Sequence, residues 1–133
     1  MVTIIDYCKQ ILRLEFIVNI IERRHFERLY ILGAKVLYKR KNGQAALMPI
    51  NDLTLSSVSF RMKHPLKLGE HIELDIIVPD KEVINVKGIV TRLEIPTYAV
   101  AQFFAFGTDE RYNSMDSYDQ LKKIMNENLV AVN

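Results

Sequence analysis

The sequence predicts a mainly β fold, a six-stranded antiparallel β-barrel or sandwich followed by one C-terminal α-helix. Between residues 29 and 106, apolar residues recur in six segments that are separated by short turns containing Gly, Pro and Asn. After residue 113 the apolar spacing changes to that of a helix. Consecutive strands joined by short turns pair antiparallel, and a single following helix can cover the resulting barrel.

The N-terminal segment, residues 1–21, is unusually apolar for a chain terminus. Its apolar residues follow a helical 4-3-4-3 spacing, but those of 14–21 also alternate as in a strand. We expect a helix over about 3–13, and residues 14–21 fit either structure. The segment packs on its own domain or forms a self-association surface that makes a homo-oligomer. The predicted organisation is therefore this segment, 1–21, followed by a barrel domain, 22–133.

Six strands account for most of the remaining chain. They are expected at residues 29–40, 45–50, 58–62, 71–78, 82–93 and 98–106. Gly33 indicates a bend or bulge in the first strand, and Gly88 an interruption of the fifth. The Asn42-Gly43 pair between the first two strands favours a type I′ hairpin turn. Residues 51–57 are small and polar, so we expect a loop there.

The last element is an amphipathic helix. Asn113 or Ser114 can cap its first turn, where Asp116 and Asp119 also suit the positive end of the helix dipole. Its apolar stripe consists of Tyr118, Leu121, Met125 and Leu129. This stripe is expected to cover the barrel.

The composition restricts the possible functions. The chain has 133 residues, of which 49% are hydrophobic and 26% charged, as in an ordinary globular domain. A net charge of only +2, from 18 basic and 16 acidic residues, argues against a general polyanion binder, and we do not expect DNA binding. The single cysteine, Cys8, excludes an internal disulfide. With neither a signal peptide nor a membrane span in the sequence, we expect a cytoplasmic protein.

The sequence gives little indication of a catalytic or metal-binding site. The three histidines, His25, His64 and His71, are scattered and have no carboxylate or thiol at metal-ligand spacing. The sequence contains no glycine-rich phosphate loop and no nucleophile elbow. We therefore predict that the protein is not an enzyme and requires no metal or cofactor.

A basic cluster precedes the first strand. Arg23, Arg24 and Arg28 lie within six residues, and the spacing of four between Arg24 and Arg28 puts both on one side of a helix or strand. Two guanidiniums that converge in this way suit phosphate oxygens or the O6/N7 edge of guanine. The alternative is a solvated cluster that pairs with Glu22 and Glu27.

The loop after the second strand offers complementary chemistry. Asp52 can accept hydrogen bonds from guanine N1–H and N2–H, and the Thr54 hydroxyl can donate or accept. Ser56 and Ser57 add two further hydroxyls. Together, the arginines and this loop match a guanine nucleotide that carries phosphates.

These parts resemble the PilZ domain family over about residues 22–125. The family's Arg-x-x-x-Arg motif matches residues 24–28, preceded by Arg23, and its Asp/Asn-x-Ser-x-x-Gly motif is similar to residues 52–57. Thr54 stands for the motif's Ser and Ser57 for its final Gly. A glycine at that position serves either a left-handed backbone or close approach of the ligand. The resemblance implies the six-stranded barrel and a bacterial receptor for cyclic di-GMP.

The resemblance also implies roles for individual residues. Arg24 and Arg28 would hold phosphate and guanine, with help from Arg23, while Asp52 and Thr54 would contact a guanine edge beside Ser57. In the family, the segment that carries the arginines, called here the arginine arm (residues 23–28), folds over the ligand. The domain then presents a new surface to an effector protein. The alternative within the family is an adaptor that has lost ligand binding. A small β-barrel enzyme or a nucleic-acid binder is the alternative outside it.

Overall fold

The computed structural model describes residues 28–94 and 96–132, the last four of them by their backbone only. The predictions for the N-terminal segment (1–21) and for Arg23 and Arg24 lie outside the described residues. None of the helices in the described part of the chain combines the length and apolar character needed to cross a membrane.

Six strands form a closed antiparallel barrel, as the sequence predicted. They are β1 (Lys35–Arg40), β2 (Ala45–Leu53), β3 (Ser57–Arg61), β4 (His71–Ile77), β5 (Ile84–Glu94) and β6 (Tyr98–Phe103). Around the barrel the order is β1-β2-β3-β6-β5-β4, and β4 pairs with β1 to close it. Closure leaves the barrel itself without an unpaired sheet edge.

The inward-facing residues of all six strands fill the barrel. Val36, Phe60, Leu74 and Val86 are completely buried, and each alternates with a more exposed neighbour on its strand. Tyr38 is also completely buried, and its hydroxyl accepts hydrogen bonds from the backbone N–H groups of Lys63 (3.1 Å) and His64 (3.0 Å). The buried hydroxyl of Tyr38 therefore has hydrogen-bond partners.

The predicted first strand was too long. Gly33 has a φ of +80°, and the chain turns there, so that β1 begins only at Lys35. Leu29 instead forms an isolated antiparallel bridge with Leu53. The predicted loop at 51–57 was also too long, because β2 continues to Leu53 through a bulge between Ile50 and Asp52.

Two local predictions concerned glycines. The hairpin between β1 and β2 is confirmed, but it is not a type I′ turn: Gly43 has a φ of +90° while Asn42 does not have a positive φ. Gly88 does not interrupt β5, which runs through it. A Cβ at Gly88 would lie 2.7 Å from the carbonyl oxygen of Gln102, so this glycine allows β5 and β6 to approach closely.

One helix, α1 (Met115–Val132), follows two very short parallel strands, β7 (Phe106–Gly107) and β8 (Asn113–Ser114). β6 thus ends earlier than predicted. Ser114 caps α1 by accepting a hydrogen bond from the N–H of Ser117 at 3.1 Å. Leu121, Ile124 and Met125 are buried against the barrel.

Asn113, the other predicted cap, has a different role. Its buried carboxamide accepts a hydrogen bond from the Lys87 N–H (2.7 Å) and donates to the carbonyls of Lys87 and Phe104 (both 2.9 Å). It therefore ties the start of α1 to Lys87 within β5 and to Phe104, directly after β6.

Candidate functional site

Arg28 and Leu29, the first described residues, lie next to the end of β2. The N–H of Leu29 donates to the carbonyl of Leu53 at 3.0 Å, and the N–H of Leu53 donates back to Leu29 at 2.9 Å. This reciprocal pair fixes the backbone next to Arg28, whose side chain is exposed. Arg28 is thereby held beside the last residues of β2, which include Asp52.

Asp52 lies on the outer face of β2, because its neighbour Leu53 points into the core and is completely buried. Burial raises the pKa of the Asp52 carboxyl above its ordinary value, the Arg28 guanidinium opposes this shift, and the negative charge of Glu94 adds to it. The Leu29–Leu53 contact thus brings Arg28 near Asp52, although no salt bridge joins the two side chains within the described part of the chain. Glu94 is itself engaged by Arg92 on the same strand, at 2.6 Å.

Thr54 shapes the turn between β2 and β3. Its buried Oγ1 accepts hydrogen bonds from the N–H groups of Ser56 (3.1 Å) and Ser57 (2.9 Å). The same oxygen lies 3.0 Å from Ser57 Oγ, and the Thr54 N–H donates to the Ser57 carbonyl at 2.9 Å. The hydroxyl therefore closes a compact turn directly after Asp52.

Ser57 replaces the glycine of the motif without strain. It does not have a positive φ, so a non-glycine residue has no left-handed penalty here. It is half-buried, begins β3 and pairs with Gln102 of β6. Of the two possible reasons for a glycine at this position, only close approach of a ligand remains.

The structure thus brings together four of the six predicted site residues. Arg28 and Asp52 form one part, called here the Arg28–Asp52 pair, and Thr54 and Ser57 form the adjoining turn. Arg23 and Arg24 precede the described residues. Among the described residues, no group of three His, Cys, Asp or Glu side chains is arranged to hold a metal ion.

A groove next to Asp52 was not predicted. It has a volume of ≈ 410 Å³ and is called here the tyrosine groove. It is lined mainly by Tyr30, Lys35, Pro49, Asn51, Arg61 and Tyr98. The local sequence signal for this groove was the outward position of Arg61 in the alternating third strand. Its neighbour Tyr98 can be found only from the pairing of β3 with β6.

A second groove lies on β1, β4 and β5. It has a volume of ≈ 350 Å³ and is called here the basic groove. Its main lining residues are Lys39, Arg40, Lys41, His71, Lys87 and Phe104, together with the acidic Glu73. Two of its cations are already paired within the barrel, Lys39 with Asp75 (2.9 Å) and Arg40 with Glu70 (2.6 Å). Because these ion pairs neutralise Lys39 and Arg40, the basic groove offers less positive charge to a ligand than its number of cationic side chains indicates.

No family model matches the sequence, and a search of curated proteins found no match either. Solved structures that are similar in fold include the following two. MrkH of K. pneumonia in its apo state has a TM-score of 0.64 at 16% identity, over 80% of this chain and 49% of that chain. The Bacillus subtilis inhibitor of motility, MotI/DgrA, has a TM-score of 0.51 at 13% identity, over 72% of this chain and 47% of that chain.

These two likenesses concern the fold. The present chain spans about half the length of each of the two proteins. Together with the closed six-stranded barrel, they support a PilZ-like fold for this chain.

Proposed function

We propose that this chain is a PilZ-type receptor for cyclic di-GMP and that the ligand binds between the arginine arm and the outer face of the barrel. The observation that carries the proposal is the reciprocal hydrogen bonding of Leu29 with Leu53, which holds Arg28 beside Asp52. The PilZ-like fold supports the same assignment.

The chemistry of the Arg28–Asp52 pair suits a guanine nucleotide. A guanidinium donates two parallel hydrogen bonds to a phosphate or to guanine O6 and N7, and it can also stack on the base. A carboxylate accepts from guanine N1–H and N2–H. Because Asp52 is partly withdrawn from water, its hydrogen bonds to a ligand gain strength. Arg28 would therefore hold phosphate and base, and Asp52 would select guanine.

The other site residues complete the proposal. Arg24, with help from Arg23, joins Arg28 in holding phosphate and guanine. Thr54 acts chiefly as a positioning residue, since its hydroxyl closes the turn that follows Asp52. Ser57 lines the same turn, where its half-buried side chain sets how closely the ligand approaches.

Ligand binding would then act on a protein partner. A ligand that contacts both the arginines and the barrel would change the surface that the protein presents to a partner. We assign the readout to a cytoplasmic effector protein, with the apolar residues 1–21 as the surface it contacts or as a homo-oligomer interface.

Titration calorimetry with cyclic di-GMP tests the proposal. The wild-type protein should bind, and Arg28→Ala and Asp52→Ala should each weaken affinity about tenfold to a hundredfold, the range expected for one charged hydrogen-bonding group. Arg111→Ala is the matched control, because Arg111 is exposed and pairs only locally with Asp109 at 2.9 Å.

Two outcomes would contradict the proposal. A folded wild-type protein that produces no binding heat would favour the adaptor that has lost its ligand. Equal affinities for wild type, Arg28→Ala and Asp52→Ala would show that the ligand binds elsewhere on the barrel.

A further inference from the structure

The tyrosine groove is electropositive and aromatic. Lys35 and Arg61 contribute positive charge, and none of the described residues that line the groove is acidic. No ion pair engages Arg61 within the described part of the chain. Tyr30 is 67% exposed at the groove, and Tyr98 is half-buried. An exposed guanidinium in a groove that is also lined by two tyrosines suits a phosphate next to a planar base.

The strand register places the groove close to Asp52, which is not itself one of the lining residues. Asp52 pairs with Ser59 on β3, and the next outward residue of that strand is Arg61, which pairs with Tyr98 on β6. Residues two apart on a strand are separated by about 6.6 Å. The groove therefore begins one outward residue along the barrel from the Arg28–Asp52 pair.

We infer that the tyrosine groove binds the second guanylate of the cyclic dinucleotide. Arg61 contacts its phosphate, and the ring of Tyr98 stacks on its base, while the Arg28–Asp52 pair holds the first guanine. This inference rests on the proposed function. A cyclic dinucleotide has two bases and two phosphates, and the Arg28–Asp52 pair offers one carboxylate for one guanine. The groove supplies an adjoining cation and an aromatic surface for the other half.

The size of the groove agrees with this role. Its volume of ≈ 410 Å³ falls in the range typical of small-molecule sites. Tyrosine also loses little side-chain freedom on binding, because it has only two side-chain torsions. Arg61 extends from a strand that is paired on both sides, which fixes the position of its backbone.

Four substitutions test the inference by calorimetric titration with cyclic di-GMP. Arg61→Gln and Tyr98→Leu should each weaken affinity about tenfold, as expected for loss of a phosphate contact or a stacked base. Tyr98→Phe keeps the ring, and Arg111→Gln removes an exposed arginine remote in sequence. Both controls should bind as the wild type does. Because Arg61 is exposed, Arg61→Gln should fold normally even if Tyr98→Leu does not.

The outcomes separate this inference from the proposed function. If the wild type binds and Arg61→Gln binds equally well, the inference is overturned and the proposed function stands. If the wild type does not bind, the proposed function fails and the inference fails with it. Affinity that falls in Arg61→Gln but not in Arg111→Gln supports the inference.

Discussion

The Thr54 turn allows a quantitative test of how the barrel presents Asp52. Replacing Thr54 by Val keeps the shape of the side chain but removes the hydroxyl oxygen. The N–H groups of Ser56 and Ser57, at 3.1 and 2.9 Å from that oxygen, would then lose their acceptor. Thr54 itself is 4% exposed, so water cannot easily replace the oxygen.

The expected cost follows from these contacts. A hydrogen bond contributes about 0.5–1.5 kcal/mol, and a donor left without a partner costs about 1–3 kcal/mol when fully buried. Since Ser56 and Ser57 are only half-buried, we expect Thr54→Val to lower the free energy of unfolding by about 2–3 kcal/mol. Thr54→Ser keeps the oxygen and loses one buried methyl group, so it should cost about 0.8 kcal/mol.

Urea unfolding of the wild type, Thr54→Val and Thr54→Ser provides the measurement, with the free energy of unfolding extrapolated linearly to water. Thr54→Val should be clearly less stable than Thr54→Ser. Equal stability of the two variants would refute the assignment, because it would mean that the hydroxyl does not hold the turn.

Three further predictions concern the barrel and the site. Gly88→Ala should cost about 1–3 kcal/mol in urea unfolding, since the new Cβ would lie 2.7 Å from the Gln102 carbonyl oxygen; an unchanged midpoint would be inconsistent with the close approach. Glu70→Gln should cost about 1.5–3 kcal/mol at pH 7, because Glu70 accepts two hydrogen bonds from Arg40, at 2.6 and 2.9 Å. Burial raises the pKa of Glu70, but the hydrogen bonds and charge of Arg40 outweigh this effect, so the net pKa is lowered. The stability difference between wild type and Glu70→Gln should therefore be lost as the pH falls through the folded-state pKa of Glu70. A difference that persists at low pH would contradict a role for the ion pair. Burial raises the pKa of Asp52, so affinity for cyclic di-GMP should begin to fall on acidification above the usual aspartate range; an affinity independent of pH there would argue against a carboxylate contact.

The barrel could be predicted from the sequence because its residues alternate locally. Val36 and Tyr38, like Leu74 and Ile76, face inward at every second position, and this pattern requires no knowledge of the partner strand. The strand ends were less accessible. Residues 51–53 are partly polar and read locally as loop, yet they extend β2 because a bulge lets them pair with β3.

The candidate site also has features that the sequence predicted and features that it did not. The proximity of Arg28 and Asp52 was expected from the resemblance to a known family, and the Leu29–Leu53 bridge provides its structural basis. The tyrosine groove could not be predicted, since it depends on the β3–β6 register that brings Arg61 next to Tyr98. The turn role of Thr54 was likewise hidden, because a hydroxyl that suits a ligand equally suits neighbouring backbone N–H groups.

The central claim is that cyclic di-GMP binds where the arginine arm meets the outer face of β2 and β3. An amide chemical-shift titration with ¹⁵N-labelled protein tests it most directly. The predicted result is a set of changes in residues 1–30 and, on the barrel, changes confined to residues 51–57, Arg61 and Tyr98. Changes that cluster instead around the basic groove, or no changes at saturating ligand, would contradict it.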